Sequence, residues 1–191
     1  MADGNRKAVW EDIMDLPEKL GAEIFGGKIY YKAMPRPLHG GTHLRLGALL
    51  DPATRLGLRT GWYIANEVDI ALSVQDFARP DVAGWRLTRI TEGSLDEWPT
   101  TLLPDWVCEI LSPSNARYDK GTKMTAYAQA GVPWMWIADP AQKTVEVFEL
   151  VASRWTLVGC YGVDDTLAMP PFDETVVVVA DLFPELPPAL R

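Results

Sequence analysis

Cysteine is scarce in this chain. Cys108 and Cys160 are its two thiols, and no CxxC or Cys/His spacing is present, which excludes a structural zinc site. Two isolated thiols fit a reducing compartment, so the expected location is cytoplasmic. The two histidines, His39 and His43, are spaced i, i+4, but Gly40-Gly41-Thr42 separates them, so there is no HExxH zinc motif. No apolar stretch approaches the ~20 residues that a membrane helix needs, and no membrane partner is expected. Glu11 and Asp12 interrupt the first apolar run, which therefore does not read as a signal peptide. Positive charge is also short: 18 Lys and Arg stand against 26 Asp and Glu, a net charge of −8. Phosphate backbones repel such a surface, which argues against a generic nucleic-acid coat protein. It does not argue against a metal-dependent nuclease, whose carboxylates hold cations. GxGxxG, Walker A and GxSxG motifs are all missing, and Ser112 and Ser114 have no evident histidine partner.

What is there is an ordinary globular balance, 48% hydrophobic and 23% charged over 191 residues. That length fits one domain spanning 1–191, with its core at about 8–180. Val9, Ile13 and Leu16 suggest a helix over 8–20, ended or kinked by Pro17. Residues 22–25 and 28–31 read as a β-hairpin around Gly26-Gly27, and Met34–Pro37 as a break. A helix is expected over 38–58, with Leu44, Leu46, Leu49 and Leu50 apolar and Gly57 as its cap. Glu67 to Leu72 alternates like a half-buried strand, and Asp81 to Trp85 forms another. Residues 87–104 read as a loop. Trp106 to Leu111 is an almost unbroken apolar run, the pattern of a central strand buried on both faces.

After a turn at 112–115, residues 118–130 read as a helix, with Met124 and Tyr127 in its apolar stripe and Gly131 as a left-handed cap. Pro133 to Ala138 is a further buried strand. Residues 144–148, 154–158 and 175–179 are expected strands, and 182–191 a tail on the surface. A strand–helix–strand crossover over 106–138 requires a parallel pair. The expected fold is α/β, with a mixed central β-sheet flanked by helices and additional N- and C-terminal β-hairpins.

Glu109 is the most informative polar residue, because a carboxylate inside a buried strand must be paired or bind a metal. An arginine partner and a metal are both open for it. Asp81, after Pro80, reads alone as a turn or cap residue. If its strand lies beside that of Glu109, the two carboxylates converge on one hard cation. Asp119 and Lys123 share a helical face at i, i+4, the spacing of an exposed ion pair. Next to two metal-holding carboxylates, Lys123 would instead offset their repulsion and steady a charged phosphate. Lys120 is the reserve for that role. Glu23 reads as an exposed strand residue and His39 as a helix-start residue with a secondary phosphate-contact reading.

Pro80-Asp81-Val82, Val107 to Ser114, Asp119, Lys123, Tyr127, Gly131-Val132 and Trp136 to Pro140 follow in an order and spacing that resemble the Uma-type restriction-endonuclease family of the PD-(D/E)XK nuclease superfamily. Ala22 to Ile29 and the His39 segment are similar too, and the resemblance covers roughly residues 8 to 180. It implies a restriction-endonuclease-like fold and a Mg²⁺- or Mn²⁺-dependent endonuclease that hydrolyses DNA. Asp81 and Glu109 would be metal ligands, Lys123 the catalytic lysine, and Glu23 an accessory acid. Position 111 is leucine where the superfamily pattern places lysine, so the resemblance moves that role to Lys123. The alternative is a catalytically inactive nuclease fold used as a binding or assembly module. A homodimer is expected from the family analogy and the eight tryptophans.

Overall fold

The computed structural model describes residues 6–17, 21–32, 37–55, 61–112 and 116–184. Its centre is a six-stranded mixed sheet in the order β10-β9-β8-β7-β6-β3. These strands are β3 (Trp62–Asn66), β6 (Val82–Arg86), β7 (Trp106–Ile110), β8 (Trp134–Asp139), β9 (Thr144–Val151) and β10 (Arg154–Gly162). β7 pairs antiparallel with β6 and parallel with β8, as the crossover requires. A four-stranded sheet, β2-β1-β5-β4, is made by β1 (Ala22–Phe25), β2 (Lys28–Tyr31), β4 (Ile70–Ser73) and β5 (Asp76–Ala78). A small ribbon pairs β11 (Thr166–Ala168) with β12 (Val176–Val178). The fold is α/β, as expected.

Side-chain alternation along β7 decides what each face of the central sheet sees. Trp106, Cys108 and Ile110 join one core with Leu46 and Leu50 of helix α1 (Pro37–Arg55). Trp106, Trp136 and Phe172 meet there edge to face, with ring centroids 4.9 to 5.4 Å apart. Gly84 makes room for this packing, because a Cβ at that position would lie 2.8 Å from Ile64 and 3.1 Å from Trp106. Val107 faces the other way, into a second core with Met135, Ile137, Ala126 and Tyr127. Glu109 shares its parity, so it faces the helical segment 116–130.

That segment, α2, opens with Ala116–Tyr118, widens into a π-helical turn at Asp119–Lys123, and finishes as Met124–Ala130. The N–H of Met124 reaches back to the Asp119 carbonyl, the i→i+5 bond of a π turn. Gly131, at φ 89°, closes the helix in the left-handed region. The Gly26-Gly27 turn, at φ 59° and 72°, joins β1 to β2 as the sequence predicts. Helix α3 (Val179–Leu182) follows β12.

Several expectations need correction. The helix expected over 8–20 is a single 3₁₀ turn at Trp10–Asp12 among the described residues. The strand expected over Glu67–Leu72 begins only at Ile70, as β4: Glu67 adopts φ 51° and, with Val68 and Asp69, separates β3 from β4. Leu44 is 75% exposed, so the apolar stripe of α1 is narrower than four leucines imply. β3, β5 and β11 are strands that the sequence reading did not assign. The Gly57 cap, the centre of the 112–115 turn, the 34–36 break and the tail beyond 184 lie outside the described residues.

Candidate functional site

Asp81 sits just before β6, opposite the end of β7, and the Ile110 N–H donates to its Oδ2 at 2.7 Å. Lys32 Nζ lies 3.0 Å from Asp81 Oδ1, and His39 Nε2 lies 3.3 Å from Oδ2. The other α1 histidine, His43, bonds the Asp81 carbonyl through Nε2 at 2.8 Å. Burial works to raise the Asp81 pKa, but Lys32, the His39 bond and Lys123 outweigh it and hold the carboxyl well below the usual range.

Glu109 lies beside Asp81 on the same side of the sheet. Lys123 Nζ is 2.7 Å from its Oε1, and the Tyr127 hydroxyl donates to the same oxygen at 2.7 Å. The arginine partner left open by the sequence is not what pairs with Glu109; the cation is Lys123. Burial pushes the Glu109 carboxyl up, Lys123 opposes that push, and Asp81 and Asp119 add to it. Lys123 also meets Glu23 Oε1 at 3.0 Å and donates to the Arg79 carbonyl at 3.3 Å. Burial disfavours its charge, but Glu109, Glu23 and Asp81 together raise its pKa, so the ammonium persists.

Glu23 is therefore no exposed strand residue. It is 1% exposed and also accepts from the Arg79 N–H and the Tyr118 hydroxyl. Asp119 is 5% exposed, and its carboxyl is pushed up to about 6 by burial, with Lys123 opposing and Asp81 and Glu23 reinforcing. The exposed Asp119–Lys123 ion pair that the spacing allows is replaced by two buried groups. Lys120 turns outward, 2.6 Å from Glu146 and 43% exposed, so the reserve lysine stands apart from the cluster.

Asp81, Glu109 and Asp119 line a cavity of about 890 Å³, together with Lys32 and His39. Lys123, at 0% exposure, lies behind the carboxylates. The ammonium facing the open space is that of Lys32, at 17% exposure, which the sequence reading missed. The hairpin register held the clue. Glu23 pairs with Tyr30, so alternation places Lys32 on the face of Glu23. Arg79 was also missed. It clamps Asp69 through two bonds, at 2.7 and 2.8 Å, while its carbonyl accepts from Lys32 and Lys123.

The cluster holds four carboxyl groups (Glu23, Asp81, Glu109, Asp119) and two ammonium groups (Lys32, Lys123), and the acids whose pKa values are raised, Glu109 and Asp119, are the ones that hold protons as the pH falls. Among the described residues, no three His, Cys, Asp or Glu side chains form a ready-made metal cage. Also among them, no helix is long and apolar enough to cross a membrane.

Residues 10–180 match the Uma2 family model, whose description reads "Putative restriction endonuclease". Among solved structures, the fold is similar to that of a protein titled "putative nuclease belonging to DUF820" from Anabaena variabilis ATCC 29413. The TM-score is 0.71 at 21% identity, over 91% of this chain and 96% of that one. At that identity the likeness shows a common fold. No curated protein matches the chain. The family match spans most of the sequence, and the chain belongs to the Uma2 family.

Proposed function

We propose that the cavity is the centre of a metal-dependent nuclease that hydrolyses phosphodiester bonds in DNA. The observation that carries this reading is the convergence of Asp81 and Glu109, with Asp119, on one cavity that a single ammonium among the described residues, Lys32, also lines. An oxygen-only pair of carboxylates suits Mg²⁺ or Mn²⁺, which complete their shells with water and phosphate oxygens, so no third protein carboxylate is needed. Asp81 and Glu109 would hold the ion. When bound, it polarises the scissile phosphate and lowers the pKa of a water.

The remaining work falls to the chain itself. The Ile110 N–H and His39 fix the Asp81 carboxylate, and Tyr127 fixes Glu109. Lys123 binds Glu109 and Glu23 from behind and acts as a positioning residue that lets several acids share one site. Lys32, on the cavity side of Asp81, is the ammonium that meets the phosphate and offsets charge developing on its oxygens.

The test is cleavage of plasmid and linear DNA with Mg²⁺ or Mn²⁺ by the wild-type protein and by Glu109→Ala. Cleavage by the wild type that is lost in the variant supports the reading. Equal nicking by both proteins would assign the activity to a contaminant.

The pairing of Glu109 Oε1 with both Lys123 and Tyr127 favours a second reading, a nuclease fold without turnover that serves as a binding module. Under that reading no divalent ion supports cleavage, and partner binding is indifferent to the Glu109→Ala change. A homodimer is proposed on the family analogy and is tested by light scattering at micromolar concentration, where a monomer mass would contradict it.

A further inference from the structure

The cavity has two chemically different walls. One carries Asp81, Glu109 and Lys32, and the other is apolar, built from Trp10, Ile13, Met14 and Trp98. Trp98 is 58% exposed, unusual for the largest side chain, and Met14, which also lines the cavity, is 39% exposed. Trp10 meets Trp98 edge to face, at 86° with centroids 5.1 Å apart, and its other contact is Phe77 at 5.5 Å.

Trp98 is also held in place. Its indole N–H donates to Asp69 Oδ2 at 2.9 Å, the carboxylate clamped by Arg79. The Arg79 backbone in turn bonds Glu23, Lys32 and Lys123. Arg79 therefore links the exposed indole to the carboxylate wall, holding Asp69 through its guanidinium and Glu23, Lys32 and Lys123 through its backbone.

A ligand that fits both walls has a phosphate at one end and a flat, apolar ring at the other. A volume of about 890 Å³ lies within the range of small-ligand pockets. We propose that Trp98, backed by Trp10, is a stacking platform for a nucleobase. The preferred substrate of the site is then single-stranded DNA, whose bases are free to leave the stack. This rests on the nuclease reading above and adds its substrate class. Base–aromatic stacking adds affinity through the π-face, a contribution that does not depend on neutralising phosphates and so suits a chain of net charge −8.

The test is fluorescence anisotropy of a labelled single strand of roughly ten nucleotides, a length within single-strand site sizes. It is compared with the same sequence as a blunt duplex, with Ca²⁺ present and the probe checked intact after each titration. Wild type, Trp98→Ala and Trp98→Phe are measured. The wild type is expected to bind the single strand at least 5-fold more tightly than the duplex, on the order of one stacked base. Trp98→Ala should lose that margin, weakening single-strand binding roughly 5- to 100-fold, while Trp98→Phe keeps most of it.

Equal single-strand affinity in Trp98→Ala and wild type overturns the platform. So does equal wild-type affinity for both probes. The nuclease reading is judged separately by the Glu109-dependent cleavage assay, so DNA cleavage that ignores Trp98 removes the platform and leaves that reading standing.

Discussion

Replacing Lys32 by alanine separates two properties that usually fall together. The Lys32 ammonium lies 3.0 Å from Asp81 Oδ1, one of the two carboxylates proposed to hold the ion. A divalent cation on Asp81 would sit within a few ångströms of it. Two unit charges about 4 Å apart repel by about 1 kcal/mol in water and about 4 kcal/mol near a protein surface, and a divalent partner doubles both figures. Lys32 is 17% exposed and keeps its bond to the Arg79 carbonyl, so the conservative figure is the lower one, about 2 kcal/mol. Lys32→Ala should therefore bind Mn²⁺ roughly 25-fold more tightly than wild type. The same change removes the ammonium proposed to meet the phosphate, and cleavage should fall by about 10²–10³-fold. Isothermal titration reads the first effect and single-turnover DNA cleavage the second. A residue of purely structural importance would weaken both. Unchanged or weaker Mn²⁺ binding in Lys32→Ala refutes the placement of Lys32 beside the ion.

Lys123→Met leaves Glu109 and Glu23 buried without their shared cation, and urea denaturation should show a loss of about 3–5 kcal/mol. Lys120→Ala, which breaks only the exposed contact with Glu146, should stay within about 1 kcal/mol and leave cleavage unchanged. A larger loss for Lys120 than for Lys123 would reverse the assignment of the two lysines. Glu109 and Asp119 have raised pKa values, the latter about 6, so the folded chain keeps protons that the unfolded chain releases from about pH 4 upward. The metal-free protein should then lose stability as pH rises from about 4 to 8. Mn²⁺ affinity should rise over the same window, because the cation displaces those protons. Thermal melts and titrations at three pH values check both trends, and flat profiles would contradict them. Asp81 has the opposite sign: its lowered pKa contributes stability that is lost only as pH falls below the ordinary carboxylate value.

The sequence made parts of this site legible for definite reasons. Glu109 stood out because a carboxylate in the apolar run of β7 has to be compensated, and strand parity then turns it toward α2. Lys123 was separable from Lys120 because it lies nearer the apolar stripe of Met124 and Tyr127. Its complete burial depends on the π turn at Asp119–Lys123, which changes the facing of every residue in it and has no simple sequence signal. Lys32 was readable only once the β1–β2 register was fixed, since a lysine at the end of an exposed hairpin strand otherwise reads as solvated. Glu23 was missed as a buried residue for a related reason. All four residues of β1 are buried, Glu23 under Tyr118 and Lys123 of α2, and β5, the three-residue strand on the other edge of β1, was too short to recognise. The split between β3 and β4 turns on the single positive φ of Glu67, an uncommon conformation for glutamate that no period-2 pattern discloses.

The most direct test of the proposed centre is Mn²⁺ titration calorimetry on the wild-type protein and on Asp81→Asn at pH 8, with circular dichroism confirming that both are folded. The proposal expects saturable binding by the wild type and a loss of at least tenfold in affinity for the variant, because a neutral amide replaces one of the two carboxylates. Equal Mn²⁺ affinity in the two proteins, or no binding by the wild type, would contradict it.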